Sequence, residues 1–517
     1  MIVDILDPDT DELVIDPACG SGGFLIVVLE KIWKKIGEDG KKKKWKSERI
    51  AFKKKELASK LLFGIDKDAF LAKVTKAYMA LMGDGRGGIF CENALQPVEK
   101  WNTKTQDRVQ LDKFDIIVTN PPFGSKIKVE GETILSQFDL ANTWKRNKTS
   151  KIWTMQEKRE EKQPPQILFI ERCLQLLKDG GRLGMMLPES LFANPSHGYI
   201  VEFLKKHGEI TGLVSLPDEL FQPYTHAKTC VLFFKKTKSI KKDYPIFMGI
   251  ADYCGHDSRG NKIPFDDIPK IQQQYIKVKS KKNIKHNSIG FTKKSNDLKN
   301  NIVIPKYYNP TIIAELNKMK KTHNLVSIKE LVENNTLALS TGVEIGKMSY
   351  GTGEIPFIRT SDISNWEIKI DPKHGVNEDI YNEYVTKCDL QENDILLVRD
   401  GTYLIGTCAL ITKNDLKSLF QSHIYKIRVL NKKKLSPFLL LALFASPIVQ
   451  RQIRAKQFTQ DIIDTLGSRL NELILPIPKD SEFTKIMTAQ TKSIIQKRTQ
   501  LRKIASEIPI KIQKGKE

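Results

Sequence analysis

The sequence predicts an α/β chain: a doubly wound, mainly parallel sheet in the first half, then a separate mixed α/β domain and a closing long helix. Three observations predict it. From Leu13 to about Phe234 short β-branched runs alternate with helical patterns, which is the signature of strands joined by crossover helices. After about residue 270 the texture changes to basic, polar sequence poor in aliphatic residues, and strand-rich sequence with Gly and Asn corners follows. Between Glu482 and Glu507 Gly and Pro disappear and apolar residues recur at helical spacing.

In order, the expected strands are LVID, LLFGID, FDIIVTN, GRLGMMLP, ITGLVSLP and AKTCVLFF, and ligands belong at the carboxyl ends of such strands. Two lysine-rich stretches interrupt them, 41–55 and 144–153. Both are candidates for phosphate contact or for plain solvated charge, and the second interleaves Trp144 and Trp153 with its cations. The predicted organisation is a first domain over 1–270, a basic connector over 271–305, a mixed domain over 306–480 and an amphipathic helix over 481–517. In that helix Phe483, Met487, Ile494, Leu501, Ile504 and Ile508 form a heptad-compatible stripe, suited either to packing on the chain's own domain or to a coiled-coil subunit contact.

The 517 residues exceed what one hydrophobic core organises, so two or three domains are expected. Lys and Arg number 84 against 61 Asp and Glu, a surplus of +23 that favours a polyanionic partner, since clustered cations release counterions from phosphates. The seven cysteines are scattered with no CxxC pair, so neither a zinc site nor a disulfide framework is expected, and a reducing cytoplasm fits. The longest apolar stretch, Phe438 to Ala445, is far below the roughly 20 residues that a membrane-spanning helix requires.

Residues 14–25, VIDPACGSGGFL, join an apolar strand, a Gly-rich turn and the start of a helix. Gly20, Gly22 and Gly23 permit close backbone approach to a ligand. Asp16 at the strand end suits an ammonium or hydroxyl, and the Lys of a phosphate-binding P-loop is absent. Asp66 closes the second strand, where an acid can accept ribose hydroxyls, and Asn93 in IFCENAL sits at the next strand end, where an amide can meet an adenine edge. Each alone is equally a turn or cap residue; their order behind the Gly-rich loop raises them.

Residues 114–123, FDIIVTNPPF, end an apolar strand in Asn, two prolines and an aromatic ring. Pro121 and Pro122 stiffen the turn and hold Asn120 extended. The Asn120 side-chain carbonyl and the Pro121 backbone carbonyl can then accept both protons of one amine, opposing delocalisation of its lone pair as positive charge develops. Phe123 offers a stacking face for a base rotated out of a duplex.

DPACGSGGF, GID, NPPF, LLKDGGRLGMMLPESLF, LPDELFQPYTHAKTCVLFFKK and IADYCGHDSRGNKIPFDDIP resemble the motif series of adenine-N6 DNA methyltransferases, nearest to the modification subunits of type I restriction systems. That resemblance implies a Rossmann-like methyltransferase domain dependent on S-adenosylmethionine. In it Asp16, Ala18, Gly20 and Gly22 hold the methionine part, Asp66 the ribose and Asn93 the adenine. The target adenine would sit on Asn120, Pro121, Pro122 and Phe123, with Phe221 as a second ring and Tyr224 an equally available one. The second half, through LALSTGVEIGKM, IPFIRTSDIS, ENDILLVRDGT and LLALFASPIVQRQI, resembles a target-recognition domain of a type I specificity subunit. The closing helix resembles the spacer that follows such domains.

The resemblance has two departures. Relatives usually carry an acid where Asn93 stands, and modification subunits have a helical domain and a Phe/Thr-Pro motif ahead of the Gly-rich loop, so an amino-terminally incomplete chain is expected. The expectation is therefore a restriction-modification methyltransferase acting on double-stranded DNA with modification, specificity or restriction subunits, and dimerising through its last helix. The alternatives are a catalytically silent DNA-binding remnant, a subunit that needs a partner to complete its cofactor pocket, and a protein glutamine methyltransferase, against which the basic surplus argues.

Overall fold

The computed structural model describes residues 1–515 apart from 83–84, 125–126, 151, 223–226, 370–371, 402 and 461–462. The chain divides into two compact units, Met1–Tyr308 and Asn309–Glu517.

The first unit is built on nine strands: β1 (Val14–Asp16), β2 (Leu62–Asp66), β3 (Ile89–Cys91), β4 (Phe114–Thr119), β5 (Leu177–Pro188), β6 (Gly208–Ser215), β7 (Thr229–Lys236), β8 (Pro245–Ile250) and β9 (Phe291–Lys294). Their order is β9-β8-β6-β7-β5-β4-β1-β2-β3. The run β5-β4-β1-β2-β3 is wholly parallel, β7 enters antiparallel between β5 and β6, and β9 closes the far edge antiparallel to β8. Every strand foreseen from the alternation is present. β1 is buried at all three residues, as a strand covered by helices on both faces must be.

Helices α1 (Ile2–Leu6), α2 (Gly23–Lys42), α3 (Ser47–Leu61) and α4 (Ala69–Leu81) surround the β1–β3 half; α5 (Pro165–Leu176) and α6 (Gly198–His207) precede β5 and β6. Helix α2 buries Leu25, Val28, Leu29, Ile32 and Ile36, an i, i+3, i+4, i+7 stripe that joins one core with Val14, Leu62 and Ile116. The lysine-rich stretch 41–55 spans the end of α2 and most of α3, with its lysines outward.

Residues 271–305, expected as a basic connector, belong instead to the first unit. Helix α7 (Ile268–Lys279) sinks Ile271 and Tyr275 into the core, where the Tyr275 ring lies 4.8 Å from Phe247 and 4.9 Å from Phe233. Strand β9 follows, then Ile302, Val303 and Ile304 are buried. The sequence looks like a linker because two apolar residues one helical turn apart suffice to seat a short helix, while its lysines crowd the solvent face.

The two tryptophans of 144–153 are not free to stack on bases. They lie on a hairpin of strands Asn142–Arg146 and Trp153–Arg159. Trp144 stacks on Tyr199 of α6 at 5.8 Å and 23°, and Trp153 meets the same ring edge-on at 5.9 Å, so the rings fasten the hairpin to the helix.

The second unit carries an antiparallel sheet of β10 (Leu337–Thr341), β11 (Ile395–Val398), β12 (Cys408–Leu410) and β13 (Ile424–Val429) in the order β10-β13-β11-β12. Helix α8 (Pro437–Ala445) is apolar along nearly its whole length and is accordingly buried, beside α9 (Pro447–Lys456). The closing helix α10 (Ser481–Lys514) is capped by Asp480, whose carboxylate accepts from the amides of Glu482 and Phe483. Its packed face is a different one from the stripe expected. Thr491 and Ile495 are buried, and Thr484, Thr488, Thr491 and Thr499 each return a hydroxyl proton to the carbonyl four residues earlier. Met487 joins the core, but Phe483, Ile494, Leu501, Ile504 and Ile508 are between 40% and 65% exposed, so the apolar stripe faces away from the unit that carries it.

Candidate active site

The carboxyl ends of β1, β2, β3 and β4 lie side by side because the four strands are parallel neighbours, and each predicted site residue is carried to that edge. After β1 the chain turns through Gly20 (φ 53°) and Gly22 (φ 86°), both in the left-handed region where a Cβ is costly. Asp16 is 1% exposed and its Oδ1 accepts from the Ala18 amide at 3.0 Å. The Gly20 amide donates to Asp66 Oδ2 at 2.9 Å, and the Asp68 amide to Asp66 Oδ1 at 2.9 Å. Asp66 therefore clamps the Gly-rich turn from the next strand while each of its oxygens keeps a further lone pair for a ligand.

Sequence reading missed the other half of this clamp. Thr75 of α4 is fully buried, and its hydroxyl donates to the Gly20 carbonyl at 2.7 Å. A Cβ on Gly22 would come within 2.8 Å of the Thr75 methyl. The sequence signal was one polar residue on the helix face that otherwise carries Ala72 and Met79.

Burial pushes the Asp16 carboxyl up to about 7, opposed by the Ala18 amide and reinforced by the nearby Asp66 charge. A buried acid held near neutrality is a receptor for a cation. Asn93, two residues past β3, spends its side-chain carbonyl on the Leu95 amide at 3.1 Å, which is the turn role weighed against ligand binding, and leaves its amide nitrogen to offer. The neighbouring acid Glu92 accepts from the Asn102 amide at 2.8 Å and the Thr105 hydroxyl at 3.1 Å, so it braces the following turn.

At the end of β4, Pro121 is buried and the Asn120 Oδ1 atom is buried with no hydrogen-bond partner among the described residues. An orphaned amide oxygen costs roughly 1–3 kcal/mol in desolvation, so an acceptor with no donor among the described residues suits a donor from outside. Phe123 meets Phe221, in the short turn Asp218–Phe221 after β6, edge-to-face at 6.2 Å and 83°. Rings nearly a hundred positions apart are thus brought together close in sequence to Asn120. Tyr224 lies outside the described residues.

The loop that follows is pinned from α5. Glu171 accepts from the amides of Asp139 and Leu140 at 3.0 and 2.8 Å, and burial pushes its carboxyl up to about 7. Arg172 donates to the Gln137 side chain at 2.6 Å and the Gln96 carbonyl at 3.1 Å, tying the turn beyond Asn93 to the loop beyond Phe123. Among the described residues no cluster of three His, Cys, Asp or Glu side chains is arranged to hold a metal, and no helix is long and apolar enough to cross a membrane.

Residues 1–315 match the family described as N-6 DNA Methylase, well over half of the chain. The chain belongs to this family. Residues 321–508 match the type I restriction modification DNA specificity domain. The methyltransferase domain and the separate recognition domain expected from the motifs are therefore both found, and the α/β architecture agrees. The chain is 27% identical over 262 residues to the type I restriction enzyme EcoEI methylase subunit of Escherichia coli, covering 49% of this chain and 44% of that one. It is 23% identical over 296 residues to the MjaIX methylase subunit of Methanocaldococcus jannaschii, covering 57% and 46%. The chain thus spans less than half the length of these curated relatives. Among solved structures, a type I restriction-modification methyltransferase subunit from Streptococcus thermophilus aligns at 20% identity and a TM-score of 0.39, over 59% of this chain and 58% of that one.

Proposed function

We propose that the chain is a site-specific DNA adenine methyltransferase of a restriction-modification system, moving a methyl group from S-adenosylmethionine to N6 of an adenine rotated out of double-stranded DNA. The observation that carries this reading is the buried, unpartnered Oδ1 of Asn120 beside Pro121. An exocyclic amine placed there gives one proton to Asn120 Oδ1 and the other to the Pro121 backbone carbonyl, and its lone pair is freed for attack. Phe123 and Phe221 form the walls that hold the flipped ring, and Pro122 stiffens the turn that carries Phe123.

The cradle fits the cofactor. Asp16 matches the methionine ammonium, the backbone of Ala18, Gly20 and Gly22 leaves room for its chain, and Asp66 has the lone pairs for two ribose hydroxyls. Asn93 offers its amide nitrogen to the cofactor adenine. Bound there, the cofactor supplies the electrophilic methyl sulfonium. The second unit reads the DNA sequence, supported by the match to a DNA specificity domain and the surplus of +23 charges. Modification, specificity or restriction subunits complete the assembly, and the exposed apolar stripe on α10 is suited to a dimer or subunit contact.

The test is transfer of labelled methyl to duplex DNA by the wild type and by Asn120→Ala. Labelling of adenine should fall by about a hundredfold or more in the variant, as when one preorganised acceptor or donor is removed from a transition state. Equal labelling by both would sink the assignment.

A further inference from the structure

The loops at one end of the second unit's sheet hold a polar constellation that none of the folding requirements accounts for in full. Strands β10 and β11 leave the sheet at this end and β13 enters it, with Thr341 opposite Tyr425 and Val398 opposite Ile424. Three loops are tied together there by backbone hydrogen bonds: Val343 N to Phe420 O at 2.9 Å, Ser422 N to Val343 O at 3.0 Å and Arg399 N to His423 O at 2.9 Å.

The hub is Asp400, only 8% exposed. Its Oδ2 accepts from His423 Nδ1 at 2.8 Å and from Arg399 Nε and Nη2 at 2.8 and 2.6 Å, and its Oδ1 accepts from the Thr465 hydroxyl. Engaged through Nδ1, the His423 ring turns Nε2 outward to within 3.7 Å of Glu344 Oε1, and the Ser422 hydroxyl donates to the same carboxylate. A network that only stapled the loops would end at Asp400. This one continues to Glu344, whose carboxylate is 61% exposed, accepts the Ser422 hydroxyl proton and lies 3.7 Å from the His423 ring. On the same loops Met348 and Tyr403 are each 91% exposed.

We infer that Glu344 is a base-reading residue: an oriented, acceptor-only carboxylate that takes the exocyclic amine of a cytosine or adenine in the major groove. His423 and Ser422 are its positioning residues, and Met348 and Tyr403 are the apolar contacts beside it. The inference rests on the proposed DNA-modifying function. The chemistry is specific, because the major-groove edges of cytosine and adenine present an amine donor while those of guanine and thymine present only acceptors. A carboxylate aimed at guanine or thymine is repelled, and one already engaged by the Ser422 hydroxyl is restrained from turning away.

The test uses the full-length chain to select from duplex DNA randomised across a target window, comparing wild type with Glu344→Gln. The amide keeps the shape but can donate as well as accept. Wild type should enrich a motif in which one position is confined to cytosine or adenine on one strand. Glu344→Gln should admit guanine or thymine at that position alone, with discrimination relaxed by roughly tenfold or more, an unchanged melting temperature and the other positions intact. An identical motif from the folded variant overturns the role of Glu344 and leaves the proposed function standing. A wild type that enriches no motif overturns both.

Discussion

Asp16 should make cofactor binding and stability depend on pH in opposite ways. Its carboxyl is 1% exposed and pushed by burial from the ordinary 3.8 to about 7. Between pH 3.8 and 7 the folded chain keeps this proton while the unfolded chain releases it, so stability is fully present below 3.8, declines as pH rises, and levels off above 7. At 1.36 kcal/mol for each pH unit, the ionised group costs the cofactor-free protein about 4 kcal/mol at pH 8. Only the ionised form answers an ammonium, so S-adenosylmethionine affinity should be flat above pH 7 and weaken about tenfold per pH unit below it, with close to one proton released per cofactor bound at pH 6 and below and almost none at pH 8. Asp16→Asn should melt higher than wild type at pH 8, lose that difference near pH 4, and bind the cofactor weakly at every pH. Calorimetry in two buffers of different ionisation enthalpy counts the proton directly. A dissociation constant independent of pH from 5.5 to 8, with no proton released, would refute the reasoning.

Gly22→Ala places a methyl 2.8 Å from Thr75 Cγ2 at a φ of 86°, and should cost about 2 kcal/mol or more of stability together with cofactor affinity; unchanged thermal shifts with S-adenosylmethionine would contradict this. Glu171→Leu strands the amides of Asp139 and Leu140 and should destabilise the first unit by about 2–4 kcal/mol, read from denaturant midpoints at constant slope. The double change Ile494→Glu and Leu501→Glu falls on side chains 40% and 65% exposed, so folding stability should move by no more than about 0.5 kcal/mol per site while light scattering shows a dimer reduced to a monomer. Retention of the dimer mass would remove α10 from the assembly contact.

Most of the candidate site was legible because it is written locally. A strand, a Gly-rich turn and a helix start occupy twelve consecutive residues around Asp16, and Asn120 to Phe123 are contiguous, so backbone chemistry alone predicts their conformation. The supports were not legible. Thr75 braces Gly20 from 55 residues away and Glu171 holds amides about 30 residues earlier in the chain; Phe221, named only through the resemblance, reaches Phe123 because β6 and β4 end at one edge of the sheet. The misread connector over 271–305 has the same cause: composition averages over faces, whereas burial of Ile271 and Tyr275 selects one face.

The amphipathic stripe on α10 and the Trp144/Trp153 pair show the limit from the other side. Periodicity identified a helix and marked its apolar face, but Thr491 and Ile495 decide which face the unit covers, and Tyr199 decides what the tryptophans touch. By itself the sequence determined the fold class, the family and the residues proposed to meet cofactor and target, because those are properties of short segments with fixed backbone geometry. Only the tertiary structure decided which polar atoms are paired, since pairing depends on groups far apart in the chain. That accounting is what leaves the Asn120 oxygen unmatched and Glu344 held in place at the surface.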